Sequence, residues 1–235
     1  MKFASKWAGL IAVLALAASA PAQDGVKLKR VAKTGDTMVY KMSALVDFQG
    51  TEIVFSATVT EKVTNVASDG KITVESKQGD VKVKFGDQEM NQEGMEMTST
   101  VVSAANGAVV ELKGDDTGSD AYRRANMMGF IFPDNALTVG HKWSQEYKAD
   151  TKTGAVAAKA EYEVVAMEKV NSWDSIKIKF SYKETAGDNP ASTSGHVWLN
   201  TADGSLIKVV TDVKAMPVAG APMPIDGKIT MERTK

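Results

Sequence analysis

Cysteine is absent from this 235-residue chain. Its absence excludes a disulfide framework, thiolate metal sites, thiol catalysis and a lipid-modified N-terminal cysteine. Histidine occurs only at 141 and 196, so imidazole chemistry has just two places to reside. Charge of one sign is lacking too: 28 Lys and Arg stand against 29 Asp and Glu. Nucleic-acid binding calls for a basic surplus, and no nucleic-acid partner is expected. Beyond residue 22 no uncharged run reaches the ~20 residues a transmembrane helix requires. With 43% hydrophobic and 24% charged residues, what is left is the composition of an ordinary globular protein.

Residues 1–22 have the three parts of a secretory leader. Lys2 and Lys6 supply positive charge, Trp7–Ala18 is a 12-residue uncharged run, and Ala20-Pro21-Ala22 is a small-residue cleavage site before Gln23. The alternative, a retained anchor, would need a longer apolar run to cross ~30 Å of hydrocarbon. Cleavage removes two lysines and no acid, leaving 213 residues with net charge −3. The predicted location is extracytoplasmic, secreted or periplasmic, with no transmembrane segment after cleavage. The C-terminal Glu232-Arg233-Thr234-Lys235 lacks the final aromatic of outer-membrane barrels, so solubility is expected. A chain this long can bury around 70% of its unfolded surface without disulfides.

From Thr37 to Phe48 every even position is apolar: Met38, Tyr40, Met42, Ala44, Val46 and Phe48. Ile53, Phe55, Ala57 and Val59 continue the alternation after Gln49-Gly50, as do the even positions of Val156–Ala166. Ile176, Ile178, Phe180 and Tyr182 alternate with Lys177, Lys179 and Ser181. A period of two belongs to strands with one buried face. Asp69-Gly70, Asn106-Gly107 and Asp203-Gly204 lie between such runs and suit tight hairpins. Gly79-Asp80 and Gly86-Asp87 punctuate less decisively. About a dozen strands are predicted, and one helix over Ser119–Gly129. Its face is Ala121, Ala125 and Met128, with Arg123 and Arg124 turned outward, Asp115, Asp116 and Asp120 at its positive end, and Pro133 barring continuation. The expected class is all-β: a mostly antiparallel curved sheet, half-barrel or sandwich with one short central helix.

The chain also resembles itself. Gly35-Asp36-Thr37-Met38 with Tyr40 matches Gly140-His141-Lys142-Trp143 with Tyr147, and Glu61-Lys62-Val63 matches Glu168-Lys169-Val170. Ile72 and Val74 then correspond to Ile176 and Ile178, and the Asn106-Gly107 hairpin to the Asp203-Gly204 hairpin. Two related halves are expected, 23–130 with the connecting helix and 131–235. They would pair into one curved sheet or stand as two small sandwiches.

Phe132-Pro133-Asp134-Asn135-Ala136-Leu137-Thr138-Val139-Gly140-His141-Lys142-Trp143 is similar to an F-P-x-x-x-L-x-V-G-x-x-W type segment of exported bacterial all-β proteins, a domain-of-unknown-function family. Gly35-Asp36-Thr37, a Met-rich strand at Gly94–Met97, and Ser194-Gly195 before an Asp-Gly hairpin resemble the same group. The resemblance implies secretion and a β architecture, and it carries no catalytic residue. His141 stands where the group has an acidic residue. On physical grounds Gly140 permits a tight strand entry, and Trp143 should enter the core beside Leu137 and Val139.

No residue constellation proposes a reaction, so no catalytic residue, cofactor or metal is assigned and the chain is read as a non-enzyme. His141 and His196 lack a nucleophile elbow or triad motif around them. Asp115–Asp120 lacks the spacing and final Glu of a calcium loop. Met90, Met95 and Met97 could hold Cu(I), but strand alternation and core packing account for them too. Glu161 and Glu163, beside Lys159, have the look of a solvated strand face rather than a glycosidase pair. Phosphate loops are missing.

Ala215–Pro224 remains: ten uncharged residues with three prolines, which bar an interior strand. Met216, Pro217, Val218, Pro222, Met223 and Pro224 form an apolar loop that could meet a ligand or partner, or fold over the sheet's open end. The expected function is binding or carrying an apolar small molecule, or an envelope protein, in the sheet's concavity. The alternative is an envelope structural protein with a filled core and no small ligand.

Overall fold

The structure is a computed structural model that describes residues 25–235 apart from 49, 93, 95, 116 and 219–222. The leader, Met95, Asp116 and Pro222 thus lie outside the described residues. Twelve strands form in chain order: β1 (Thr37–Phe48), β2 (Thr51–Val66), β3 (Ile72–Phe85), β4 (Gln88–Asn91), β5 (Met97–Ser103) and β6 (Val109–Gly114), then β7 (Lys142–Tyr147), β8 (Ala158–Val170), β9 (Trp173–Glu184), β10 (Ser192–Asn200), β11 (Leu206–Met216) and β12 (Ile225–Arg233). One helix, α1 (Ser119–Met128), joins β6 to β7. All strands belong to one antiparallel sheet ordered β6-β5-β3-β2-β1-β12-β11-β10-β9-β8-β7, with β4 hairpinned onto β3. The first and last strands pair, Tyr40 opposite Arg233 through Asp47 opposite Asp226, so both meanders share a continuous sheet.

The sheet is curled but not closed. Arg30 N–H bonds Ala105 C=O in the β5–β6 hairpin, while Val31 N–H bonds Asp203 C=O in the β10–β11 hairpin. On a flat sheet β5 and β11 would lie five strand spacings apart, about 24 Å, yet neighbouring Cα atoms are only about 3.8 Å apart. One extended strap, residues 25–34, reaches both hairpins only because the sheet bends around it. The strap alternates, with Val26, Leu28 and Ala32 inward and Lys27, Lys29 and Lys33 exposed, but Arg30 in the inner row and Val31 in the outer one break the pattern.

The core occupies the inner face of β8–β11. Ala160, Tyr162 and Val164, Ile176 to Tyr182 at even positions, Val197 and Val209 are all buried there. Their cover is Leu28 of the strap, Met127 of α1, and Phe132 and Leu137 of the segment after it. Alternation places these strands correctly until bulges shift phase. Between Val164 and Ala166 the register slips, so Ala166 faces Lys177 on the outer side instead of continuing the buried row. Gly79-Asp80 does not break β3 but sits inside it at a second bulge, with Asp80 at φ 51°.

Other expectations are corrected. α1 ends at Met128 with Gly129 as its C-cap, four residues before Pro133. Asp115 accepts from Thr98 N–H at 2.8 Å and ties β6 to β5 rather than capping the helix. Gly94 lies in a turn, and the strand there begins at Met97. Ala215 and Met216 belong to β11, so the loop proper starts at Pro217. Leu137 is fully buried but Val139 is 53% exposed, and Trp143 stacks on Tyr162 at the core's rim, donating to Ile131 C=O. Gly35 N–H bonds Val63 C=O and Val63 N–H bonds Asp36 C=O; Gly140, Val164 and His141 repeat that pattern. Val164, not Val170, therefore takes the place opposite the second glycine, and the Glu61-Lys62-Val63 match is six residues out of step.

Candidate functional site

The inner face extends farther than its cover. Strand register carries one apolar row from Ile229 on β12 through Ala44, Phe55 and Val83 to Met90 on β4. A second passes from Val46 through Ile53 to Phe85. Val46 is buried, Ala44, Ile53, Phe55, Val83 and Ile229 are partly so, while Phe85 is 52% and Met90 47% exposed. Period-two patterning forces these side chains to one side, while the strap and the segment after α1 pack on β8–β11 and α1 reaches from there over the middle of β2, β3 and β5, leaving Phe85 and Met90 exposed.

The apolar loop lies at this same end, since Met216 pairs with Ile225 and Asp226 with Asp47. Pro217 is buried, and its carbonyl accepts from Arg124 of α1 at 3.4 Å. Val218 is partly buried, and Met223 and Pro224 are exposed. Met216, Pro217 and Val218 thus join helix to sheet, while Met223 and Pro224 form a free apolar rim. Between α1 and the sheet, farther along β2 and β3, is a hollow of about 220 Å³ lined by Val59, Ser76, Gln78, Ser99, Ala121 and Ala125. Enclosed ligand pockets run to about 300–1,000 Å³. The arrangement therefore offers an open apolar trough, not a closed cavity.

α1 is held over this region by Arg123, which points inward. Its Nε and Nη2 donate to both carboxylate oxygens of Glu184 at 2.8 Å, and the Glu184 side chain is 0% exposed. The expectation that Arg123 faces solvent is overturned because a helix read alone does not show the acid that β9 presents to it. Glu184 had a signal in the sequence: it continues the even row of Ile176–Tyr182, where a charge demands a buried partner.

Glu61 carries the same signature, sharing the odd row of Ile53 to Val63. Burial pushes its carboxyl above the usual range, opposed by Arg30 of the strap, the Tyr40 hydroxyl and Arg233. Tyr40 itself is buried and donates to Leu206 C=O, and its hydroxyl is pushed up by burial and by Glu61. A carboxyl whose folded pKa lies above its unfolded value binds its proton more tightly in the folded state. Its contribution is thus fullest at low pH and declines as pH rises from the ordinary carboxylate range through the raised value. Glu61→Gln is expected to flatten that decline and to melt higher than the parent at pH 8. Melts taken from pH 4 to 8 that run parallel for the two chains would contradict this.

The remaining sequence candidates are dispersed. His141 packs beside Trp143 and His196 beside Trp198. Met90 pairs with Val83 and Met97 with Gln78, five residues apart along β3, roughly 16 Å, so these two thioethers are not brought together. Glu161 pairs with Lys159 at 2.7 Å and Glu163 with Lys142 at 3.5 Å on the outer face. No described helix is long and apolar enough to cross a membrane.

A curled antiparallel sheet with a strapped core and one uncovered apolar end is the class of protein that fold and site define. No family model matches the chain, and no curated protein matches it significantly. Among solved structures, a Bacteroides fragilis chain described as a candidate exported protein with a YmcC-like fold is similar over 90% of this chain and 100% of its own, at 10% identity and a TM-score of 0.34. At that score no property passes from one to the other, and the likeness of the Phe132–Trp143 segment gains no family.

Proposed function

We propose that the chain is an exported, non-enzymatic protein that holds an apolar chain, such as a lipid acyl group, against the uncovered end of its inner face. The observation supporting this most directly is that the rows ending at Phe85 and Met90 outrun the strap and α1. Each methylene removed from water contributes about 0.8 kcal/mol, so eight to ten of them along the trough could offset the several kcal/mol lost on association. Met90 and Met223 suit the role, because thioether side chains adapt to irregular apolar partners. Pro217, Val218, Met223 and Pro224 would close one side.

Phe85→Asp with Met90→Asp places charge on two exposed side chains and should leave the melting temperature within a few degrees. The parent chain, purified from its own envelope, should carry extractable lipid and gain thermal stability with fatty acids; the double variant should do neither. Absence of both effects in the parent would favour the second reading, an envelope structural protein. That reading rests on the filled inner face of β8–β11, where Leu28, Phe132 and Leu137 leave the core packed.

A further inference from the structure

A broad concavity lies on the opposite, outer face. A groove of about 840 Å³ crosses β8–β12 and runs into another of about 510 Å³, the two sharing Lys159, Glu161, Ser181, Ser194 and Asp212. Register fixes how its side chains are laid out. Ser181, Ser194, Asp212 and Lys228 follow one another across β9 to β12 in one row. In the next, Lys183 and Lys214 flank Ser192; on the other side Lys179 faces His196.

Charge pairing separates these lysines from the two others that line the groove. Lys142 and Lys159 are neutralised by Glu163 and Glu161. Lys179, Lys183, Lys214 and Lys228 are exposed, and none makes an ion pair among the described residues. They stand at the corners of a frame whose floor is the hydroxyls of Ser181, Ser192 and Ser194. Lys179 and Lys183 stand four residues apart on β9, about 14 Å, and across the sheet Lys183 is two strand spacings from Lys214, about 10 Å, while Lys228 lies on β12, three spacings from β9, about 14 Å. A chain that is acidic overall after leader removal thus concentrates unpaired cations around a polar floor. One acid, Asp212, stands inside the frame. It repels a bare polyanion but accepts hydrogen bonds from hydroxyl groups.

We propose that this groove binds an anionic oligosaccharide, its carboxylate or sulfate groups held by Lys179, Lys183, Lys214 and Lys228 and its hydroxyls by the serine floor and Asp212. His196 sits at the edge as a reporter. Lys177 and Lys179 on β9 and its own partial burial hold its pKa down. Across β11 it is opposite Val210, with Lys208 and Asp212 flanking that residue. An anion entering the groove should raise it.

The test is calorimetry and histidine NMR on the purified chain with three probes: a heparin-derived tetrasaccharide, inorganic tripolyphosphate and neutral maltotetraose. The sulfated tetrasaccharide should bind, weaken at least tenfold in Lys179→Ala/Lys228→Ala and in Lys183→Ala/Lys214→Ala, and raise the His196 pKa. Asp212→Ala should weaken the tetrasaccharide yet strengthen tripolyphosphate. All four lysines and Asp212 are exposed, so the variants should keep the parent's circular dichroism. The proposal is overturned if the tetrasaccharide fails to bind at millimolar concentration or if binding ignores the lysine pairs. It is equally overturned if maltotetraose binds as well, or if Asp212→Ala moves both anions the same way, which would mark a nonspecific basic patch.

Discussion

Replacing Arg123 by alanine is expected to remove about 3–5 kcal/mol of stability, because it strands a buried carboxylate. Both oxygens of Glu184 are occupied by the guanidinium, and among the described residues the one other donor to reach them is Ala191 N–H at 2.7 Å. Arg123 is itself only 18% exposed on its side chain, and it bonds Asn189 C=O and Asp120 as well. Taking the cation away leaves a charge inside the core with one hydrogen bond. Taking both away is different: Arg123→Leu with Glu184→Leu discards the desolvation of both ions and should recover most of the loss. Asp120→Ala removes an exposed partner and should alter stability by less than about 1 kcal/mol. Urea unfolding of the four chains checks the set. An Arg123→Ala loss below about 1 kcal/mol would mean the pair is solvated, and α1 would not be pinned to β9. The consequence would reach the proposed binding surface, since the same helix holds Pro217 through Arg124.

Where side-chain parity governs, the sequence was legible. In β1, and in β9 from Ile176 to Tyr182, apolar side chains are buried at even positions, and β2 buries Ala57, Val59 and Val63 of the odd row that its sequence names. Parity also held the two inward acids, Glu61 and Glu184, although a charged residue in an apolar row is easily passed over as noise. What could not be read depends on contacts between distant segments. Bulges at Val164 and at Gly79 shift phase without any local composition change. The strap of residues 25–34 alternates in burial, but nothing local shows that Arg30 and Val31 bond two separate hairpins. Val139 is apolar yet exposed: the chain turns at Gly140 just after it, and only Leu137 enters the core. The trough was legible only in part. The prolines in the loop mark its rim, but its floor is a cross-strand row that exists only once β12, β1, β2, β3 and β4 are in register.

Gly107→Ala is the second large effect, and Gly35→Ala is its control. Both glycines lie at positive φ, 89° and 97°, where an L side chain is disfavoured. Around Gly35 an added Cβ meets nothing within 4 Å, so its substitution isolates the backbone penalty, about 1 kcal/mol. At Gly107 the added Cβ would lie 2.1 Å from Phe130 C=O, a backbone atom that cannot swing aside. Phe130 is fixed in turn by its ring, edge-on to Phe180 at 4.9 Å, and Phe132 N–H is fixed by Asn106 C=O at 2.8 Å. Relief of the clash therefore pulls the covering segment off the β5–β6 hairpin. That hairpin also receives the strap through Ala105, so the disturbance spreads to the element that keeps the sheet curled. The expected loss is about 3 kcal/mol or more, well beyond that of the control. Amide exchange should speed up at Arg30 and Phe132 together in Gly107→Ala and at neither in Gly35→Ala. Equal losses in the two variants would reduce the effect to backbone strain alone, and the curl would then have to be maintained by the β1–β12 pairing without help from the strap.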